Sequence, residues 1–195
     1  MFTGFGKEDQ NKVEEAKDTL NRLGIKVVEE SAQNFNLLIM DKFKRTIKFL
    51  LAINRGIDIV SYKWIEDCLE EEDIMEPRDY IFSDKKAELK YKFKLEKSLK
   101  IAKERTNGFL DEYRIFLPSN IKPSLDEVKM LIESADGQVI KSRPTAFQDD
   151  LIIVVNDNDD KNIEIFKKMG YSPYSTELIY SGVLHQKLDL KLYKL

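Results

Sequence analysis

The sequence predicts an α/β protein made of two successive units, each a four-stranded, mostly parallel sheet flanked by helices, packed in tandem. Three observations carry this. Short apolar runs alternate with amphipathic stretches of helical spacing, the same order of elements returns after a basic stretch near the middle, and 195 residues exceed the roughly 150 of one ordinary domain. Alternating strands and helices bury both faces of a sheet when the strands run parallel and helices cover them.

In the first unit, the run Met1 to Phe5, ended by Gly4 and Gly6, predicts a strand. Val13, Ala16, Leu20 and Leu23 then recur at helical spacing between charged residues. Gly24 stands where that helix stops, Ile25 to Val28 alternates as a second strand, and Phe35 to Met40 is apolar enough for a third, buried one. Lys44 to Asn54 predicts a second helix with Ile47, Leu50 and Leu51 on one side, and Gly56 closes it before the strand Ile57 to Val60. Ser61 can cap a third helix whose apolar positions are Tyr62, Trp64, Ile65, Cys68 and Leu69.

The second unit repeats the order. Tyr113 to Leu117 reads as a strand, Ser124 caps a helix carrying Leu125, Val128, Leu131 and Ile132, and Gly137 precedes the strand Gln138 to Ile140. Leu151 to Val155 is the buried third strand, followed by a helix near Lys161 to Met169 that Gly170 stops. Ser172 to Tyr174 makes a short fourth strand before a last helix from Ser175 to about Leu184. The expected boundaries are 1–83 for the first repeat, 84–108 for a linker and 109–195 for the second repeat.

Charge follows these divisions. The formal total is −3, yet residues 1–83 hold 12 basic and 17 acidic side chains and residues 84–108 hold nine and four. Within the linker, Leu89, Tyr91, Phe93 and Leu95 alternate with lysines as a strand would, and Leu99 to Arg105 reads as helix. Lysines interleaved in this way are first of all a solvated face, so direct DNA binding is not expected. The apolar runs are far shorter than the roughly 20 residues of a membrane helix.

Few reacting groups are present. One cysteine, Cys68, and one histidine, His185, cannot form a disulfide or a Cys/His zinc site, and no metal or cofactor is expected. Cys68 falls on the apolar side of its helix, as a core residue does. Thr3-Gly4-Phe5-Gly6-Lys7 lacks the spacing of a phosphate loop and continues with Glu8 rather than Ser or Thr. The run Glu70 to Asp73 is a solvated helix end. No catalytic residue stands out, and a binding protein is favoured over a small α/β enzyme.

One cluster runs against the acidity of its unit: Lys42, Lys44, Arg45 and Lys48 fall within seven residues at the expected start of the second helix. Basic side chains there oppose the helix dipole and reinforce it for an incoming anion. Arg45 and Lys48, three apart, would share a helix face. Thr3 supplies a hydroxyl and Gly4 an unobstructed N–H at the end of the first strand. In a parallel α/β layout both features lie at the carboxyl edge of the sheet, where such folds bind ligands. On spacing alone, a merely solvated basic helix start fits as well as a phosphate site.

The run Lys44-Arg45-Thr46-Ile47-Lys48-Phe49-Leu50, with Gly56 and Ile59-Val60-Ser61-Tyr62-Lys63-Trp64, closely resembles the BRCT (breast-cancer-protein C-terminal) domain, and the repeat makes a tandem BRCT pair. The second copy departs from the family by placing Leu178 where tryptophan is usual. The resemblance implies a phosphoserine-peptide reader that performs no chemistry. It assigns Thr3, Gly4 and Lys48 to the phosphate, and Arg45 to a main-chain carbonyl or a free C-terminal carboxylate three residues after the phosphoserine. Leu50, Asn120, Ile121 and Glu177 are assigned to the pocket between the repeats, with plain packing as the alternative for each.

The spacing and Thr3 are most similar to the C-terminal pair of a fungal multi-BRCT genome-maintenance scaffold that reads the phosphorylated tail of histone two-A. That implies a nuclear DNA-damage-response protein with the tail as its partner. The alternative within the family is a pair that grips an unphosphorylated protein through its linker or repeat interface. Met1 at the very start of the first strand suggests a piece of a longer protein.

Overall fold

The structure, a computed structural model, describes residues 1–28 and 34–195. The chain divides into two compact units, Met1–Lys100 and Ile101–Leu195. Residues 84–100 therefore pack with the first unit.

In the first unit, strand β1 (Phe2–Thr3) leads through a 3-10 turn (Lys7–Asp9) into helix α1 (Gln10–Arg22). Strand β2 (Leu37–Met40), helix α2 (Ile47–Asn54), strand β3 (Asp58–Ser61) and helix α3 (Lys63–Glu70) follow. The strands run parallel in the order β1-β2-β3, with Thr3 level with Met40 and Met40 level with Ser61. Successive strand residues face opposite sides of a sheet. On one side Ile39 and Val60 pack with Ala16 and Leu20 of α1 and with Trp64, Ile65 and Cys68 of α3. On the other, Leu38, Met40 and Ile59 are buried where α2 covers the sheet with Phe49, Leu50 and Ile53. Each such side chain contributes about 1.5–3 kcal/mol through its removal from water. The Trp64 indole also donates to the Met75 carbonyl at 2.9 Å, so its one polar atom is satisfied inside the core.

Three expectations are corrected in this unit. Ile25 to Val28 does not join the sheet: Ile25 and Val27 pack against the core, but the Ile25 N–H donates to the Leu20 carbonyl at 2.8 Å to close α1. Among the described residues the sheet has three strands, not four, and β1 offers only two residues of ladder. The second helix starts at Ile47, not Lys44, because Thr46 caps it by accepting the Phe49 N–H at 3.3 Å. Arg45 therefore lies before the cap and does not share a helix face with Lys48. Finally, the alternation from Leu89 to Leu95 is not a strand. It is two helices, α4 (Lys85–Tyr91) and α5 (Leu95–Glu104), separated by Lys92 in the left-handed region at φ 53°. Asp84 caps α4 through the Ala87 N–H at 2.9 Å, and the buried Glu88 carboxylate accepts the Leu95 N–H at 3.1 Å and pairs with Lys94 at 2.7 Å. These bonds favour helix over sheet and leave Leu89 out in solvent.

The second unit holds strand β4 (Arg114–Phe116), helix α6 (Leu125–Glu133), strands β5 (Gln138–Ile140) and β6 (Leu151–Val155), helix α7 (Asp160–Lys168), strand β7 (Pro173–Ser175) and helix α8 (Glu177–His185). Its four strands are all parallel, in the order β5-β4-β6-β7. Phe116, Leu151, Ile153, Val155, Phe166 and Tyr171 form the core under α7, while α6 and α8 pack on each other. Leu178, standing where the family usually has tryptophan, is fully buried. Among the described residues no helix is long and apolar enough to cross a membrane.

Candidate functional site

The site grows from two chain crossings at the carboxyl edge of the first sheet. Gly4 follows β1 at φ +81°, a conformation that L side chains rarely adopt, and a Cβ there would stand 2.3 Å from the Lys42 carbonyl oxygen. Only glycine lets the β1–α1 turn approach the β2–α2 loop this closely. Thr3, buried at the end of β1, is thereby set against the start of α2, and its Oγ1 lies 2.8 Å from Thr46 Oγ1. Thr46 Oγ1 already accepts the Phe49 N–H. When its proton goes to Thr3, the Thr3 hydroxyl is left to donate outward to an anion.

Lys48, in the first turn of α2, reaches back to donate to the Phe2 carbonyl at 3.3 Å, one residue from Thr3. Lys44 donates to the Phe5 carbonyl at 3.5 Å. Lys12 of α1 and Lys42 both reach Asp41, at 3.7 and 3.9 Å. The positive field extends to the chain's amino group: the Met1 ammonium donates to the Leu37 carbonyl at 3.0 Å and is lowered to about 6, first by burial and second by the Lys48 charge. The Phe2, Phe5 and Tyr62 rings stack edge to face below the turn, at 5.7 and 5.9 Å between centroids, and keep it in place.

The structure thus brings Thr3, Gly4 and Lys48 together, with Arg45 on the loop just before α2. Sequence reasoning missed Thr46 and Lys12. Thr46 carried the ordinary signal of a helix cap, a threonine followed by an apolar turn, whereas Lys12 shows itself through its tertiary contacts with Asp41 and the Tyr62 ring. The remaining expected residues are divided between the units. Leu50 is fully buried in the first. In the second, Asn120 donates to Asp159 Oδ2 at 2.8 Å, Ile121 is buried, and Glu177 opens α8 with its N–H on Ser175 Oγ at 3.2 Å. Cys68 is buried, and burial raises its thiol above the usual range, which suits packing and not nucleophilic attack.

The second unit makes a different site at the matching place. The β4–β6 ladder ends with Phe116 level with Ile153; counting two residues past that end matches Pro118 in sequence to Val155, which is level with Ser175. Thr3 holds the same station against Met40 and Ser61. Proline brings neither hydroxyl nor N–H. Lys161 keeps the second position of its helix, as Lys48 does, but the cap is Asp159. Hydrogen bonds from the Asn162 side chain first, and from Asn120 next, hold the Asp159 carboxyl below its ordinary range. A fixed negative charge therefore occupies the helix start, where an incoming phosphate would be repelled.

Two parallel α/β repeats follow one another along the chain, and hydroxyl, backbone and ammonium groups collect at one sheet edge of the first, as in a protein-interaction module. The chain belongs to the BRCT domain family as a tandem pair. The Regulator of Ty1 transposition protein 107 BRCT domain matches residues 1–82 and the BRCT domain matches residues 108–194. PAX-interacting protein 1 of Bos taurus is 30% identical over 204 residues, covering 100% of this chain and 20% of that relative. The chain thus spans about a fifth of that relative's length. Among solved structures, the BRCT5-BRCT6 domains of S. pombe Brc1 superpose with a TM-score of 0.73 at 22% identity, covering 98% of this chain and 94% of that one. The complex of Rtt107p with phosphorylated histone two-A gives 0.69 at 18% identity, covering 100% and 91%. BRCT domains are protein-interaction modules, and these neighbours share the fold.

Proposed function

We propose that the chain is a phosphoserine-peptide reader of a nuclear DNA-damage-response scaffold, that it recruits this scaffold to the phosphorylated C-terminal tail of histone two-A, and that it is not an enzyme. The observation that carries the reading is the convergence of Thr3, Gly4 and Lys48 from two distant stretches of chain onto one sheet edge. Charge-assisted hydrogen bonds to phosphate contribute about 1.5–3 kcal/mol each, enough for three to separate a phosphorylated from an unphosphorylated peptide. The likeness to Rtt107p, whose complex holds the phosphorylated histone, supports the choice of tail. Arg45 is assigned to the peptide's end, where its fork can hold a carboxylate bidentately. Leu50, Asn120, Ile121 and Glu177 are proposed as contributors to specificity, with the repeats at 1–83 and 109–195 and the linker at 84–108.

Calorimetry with matched phosphorylated and unphosphorylated tail peptides tests this. A strong preference for the phosphopeptide, lost in Lys48→Met, is expected. Equal affinities would overturn phosphate reading in favour of an unphosphorylated partner.

A further inference from the structure

The end of α4 and the turn after it meet the candidate site through aromatic rings. Arg45 Cζ lies over the Tyr91 ring, 4.7 Å from its centroid. Tyr91 is the last residue of α4, and its ring is itself packed: Phe43 stands 5.6 Å away at 34°. Phe43 also contacts Phe49 at 5.2 Å and Phe93 at 6.1 Å, and both of those are buried. Phe43 and Arg45 are two apart in a stretch with no helical structure, and both turn to the α4–α5 junction. That junction is fixed by the Glu88 carboxylate, which accepts the Leu95 N–H and pairs with Lys94. The Lys90 ammonium, 5.1 Å from the same centroid, also meets the ring.

Stacking engages the face of a guanidinium, whereas carboxylate recognition uses its N–H edges, so one arginine can do both at once. An unstacked arginine must surrender the freedom of a long side chain on binding; a stacked one has surrendered much of it already.

We propose that Tyr91 is a positioning residue: its ring holds Arg45 so that the guanidinium edge meets the carboxylate of a peptide that ends three residues after its phosphoserine. This rests on the assignment of Arg45 made above. It also gives the segment 84–100 a part in specificity that its lysines, taken as a solvated face, do not suggest.

The test uses the full chain and two serine-phosphorylated peptides ending at that third residue, one with a free carboxylate and one amidated. The wild type should prefer the free acid. Tyr91→Leu should reduce that preference roughly two- to fivefold, the range of a surface cation–π contact, with affinity for the amide unchanged. Tyr91→Phe, which keeps the ring, should restore it. Independently of peptide, the Arg45 side-chain NMR signals should carry a ring-current shift in the wild type and Tyr91→Phe and lose it in Tyr91→Leu. Identical Arg45 signals in all three chains would overturn the stack. An intact free-acid preference in Tyr91→Leu would overturn the role of Tyr91 alone. A third, unphosphorylated free-acid peptide reads the site itself: a wild type that binds it as tightly as the phosphorylated one would overturn the site.

Discussion

The Thr3 hydroxyl offers the sharpest test of the site, because Thr3→Val removes one oxygen and keeps the side chain's shape. In the free protein the loss is the 2.8 Å bond to Thr46 Oγ1. Thr46 can keep the Phe49 N–H, so the cap of α2 survives and the stability cost is that of one neutral hydrogen bond, about 0.5–1.5 kcal/mol. Toward a phosphate the same hydroxyl makes a charge-assisted bond, about 1.5–3 kcal/mol, which corresponds to a roughly 10- to 150-fold weaker Kd. The two effects are read separately, by urea denaturation of the free chain and by calorimetry with phosphorylated and unphosphorylated peptides. Thr3→Ser, which keeps the hydroxyl, should bind within a few-fold of the wild type. Should Thr3→Val bind the phosphopeptide as tightly as the wild type, Thr3 is not a phosphate ligand. A Kd raised equally for both peptides would mean that the substitution acts through the fold.

Two further outcomes are expected. Gly4→Ala must hold a left-handed backbone at about 1–2 kcal/mol and move the Lys42 carbonyl as well, so urea denaturation should show a loss of at least that size; a change below about 0.5 kcal/mol would show that the loop yields freely. The Met1 amine, lowered to about 6 from 8.0, binds its proton more weakly folded than unfolded. Stability from this group is therefore complete above pH 8 and declines as pH falls toward 6. Thermal midpoints measured across that window should drop in the free-amine chain relative to an N-acetylated one; parallel curves would refute the shift.

How much of this was legible before the structure depends on the kind of contact involved. The repeat, the parallel strands and the core were readable because burial is written locally, in apolar runs such as Leu151 to Val155 and helical spacing such as Ala16 to Leu20. Thr3, Gly4, Arg45 and Lys48 were singled out by residue type and by family resemblance. The errors fell where one local pattern admits two structures. Leu89 to Leu95 alternates like a strand, but the Asp84 cap and the Glu88 carboxylate make it helical. Ile25 to Val28 alternates too, yet the ladder it would join is only two residues long.

By itself the sequence determined the two-unit α/β order, the absence of a cysteine–histidine metal set and the lone basic cluster in an acidic unit, since each follows from composition and short-range period. The tertiary structure alone decided which groups meet. Thr3 finds Thr46 across 43 positions, Lys48 finds Phe2 across 46, and Tyr91 comes to lie under Arg45. Such contacts depend on the close crossing that Gly4 permits and on the packing of α4, and no local periodicity encodes a meeting between segments so far apart along the chain.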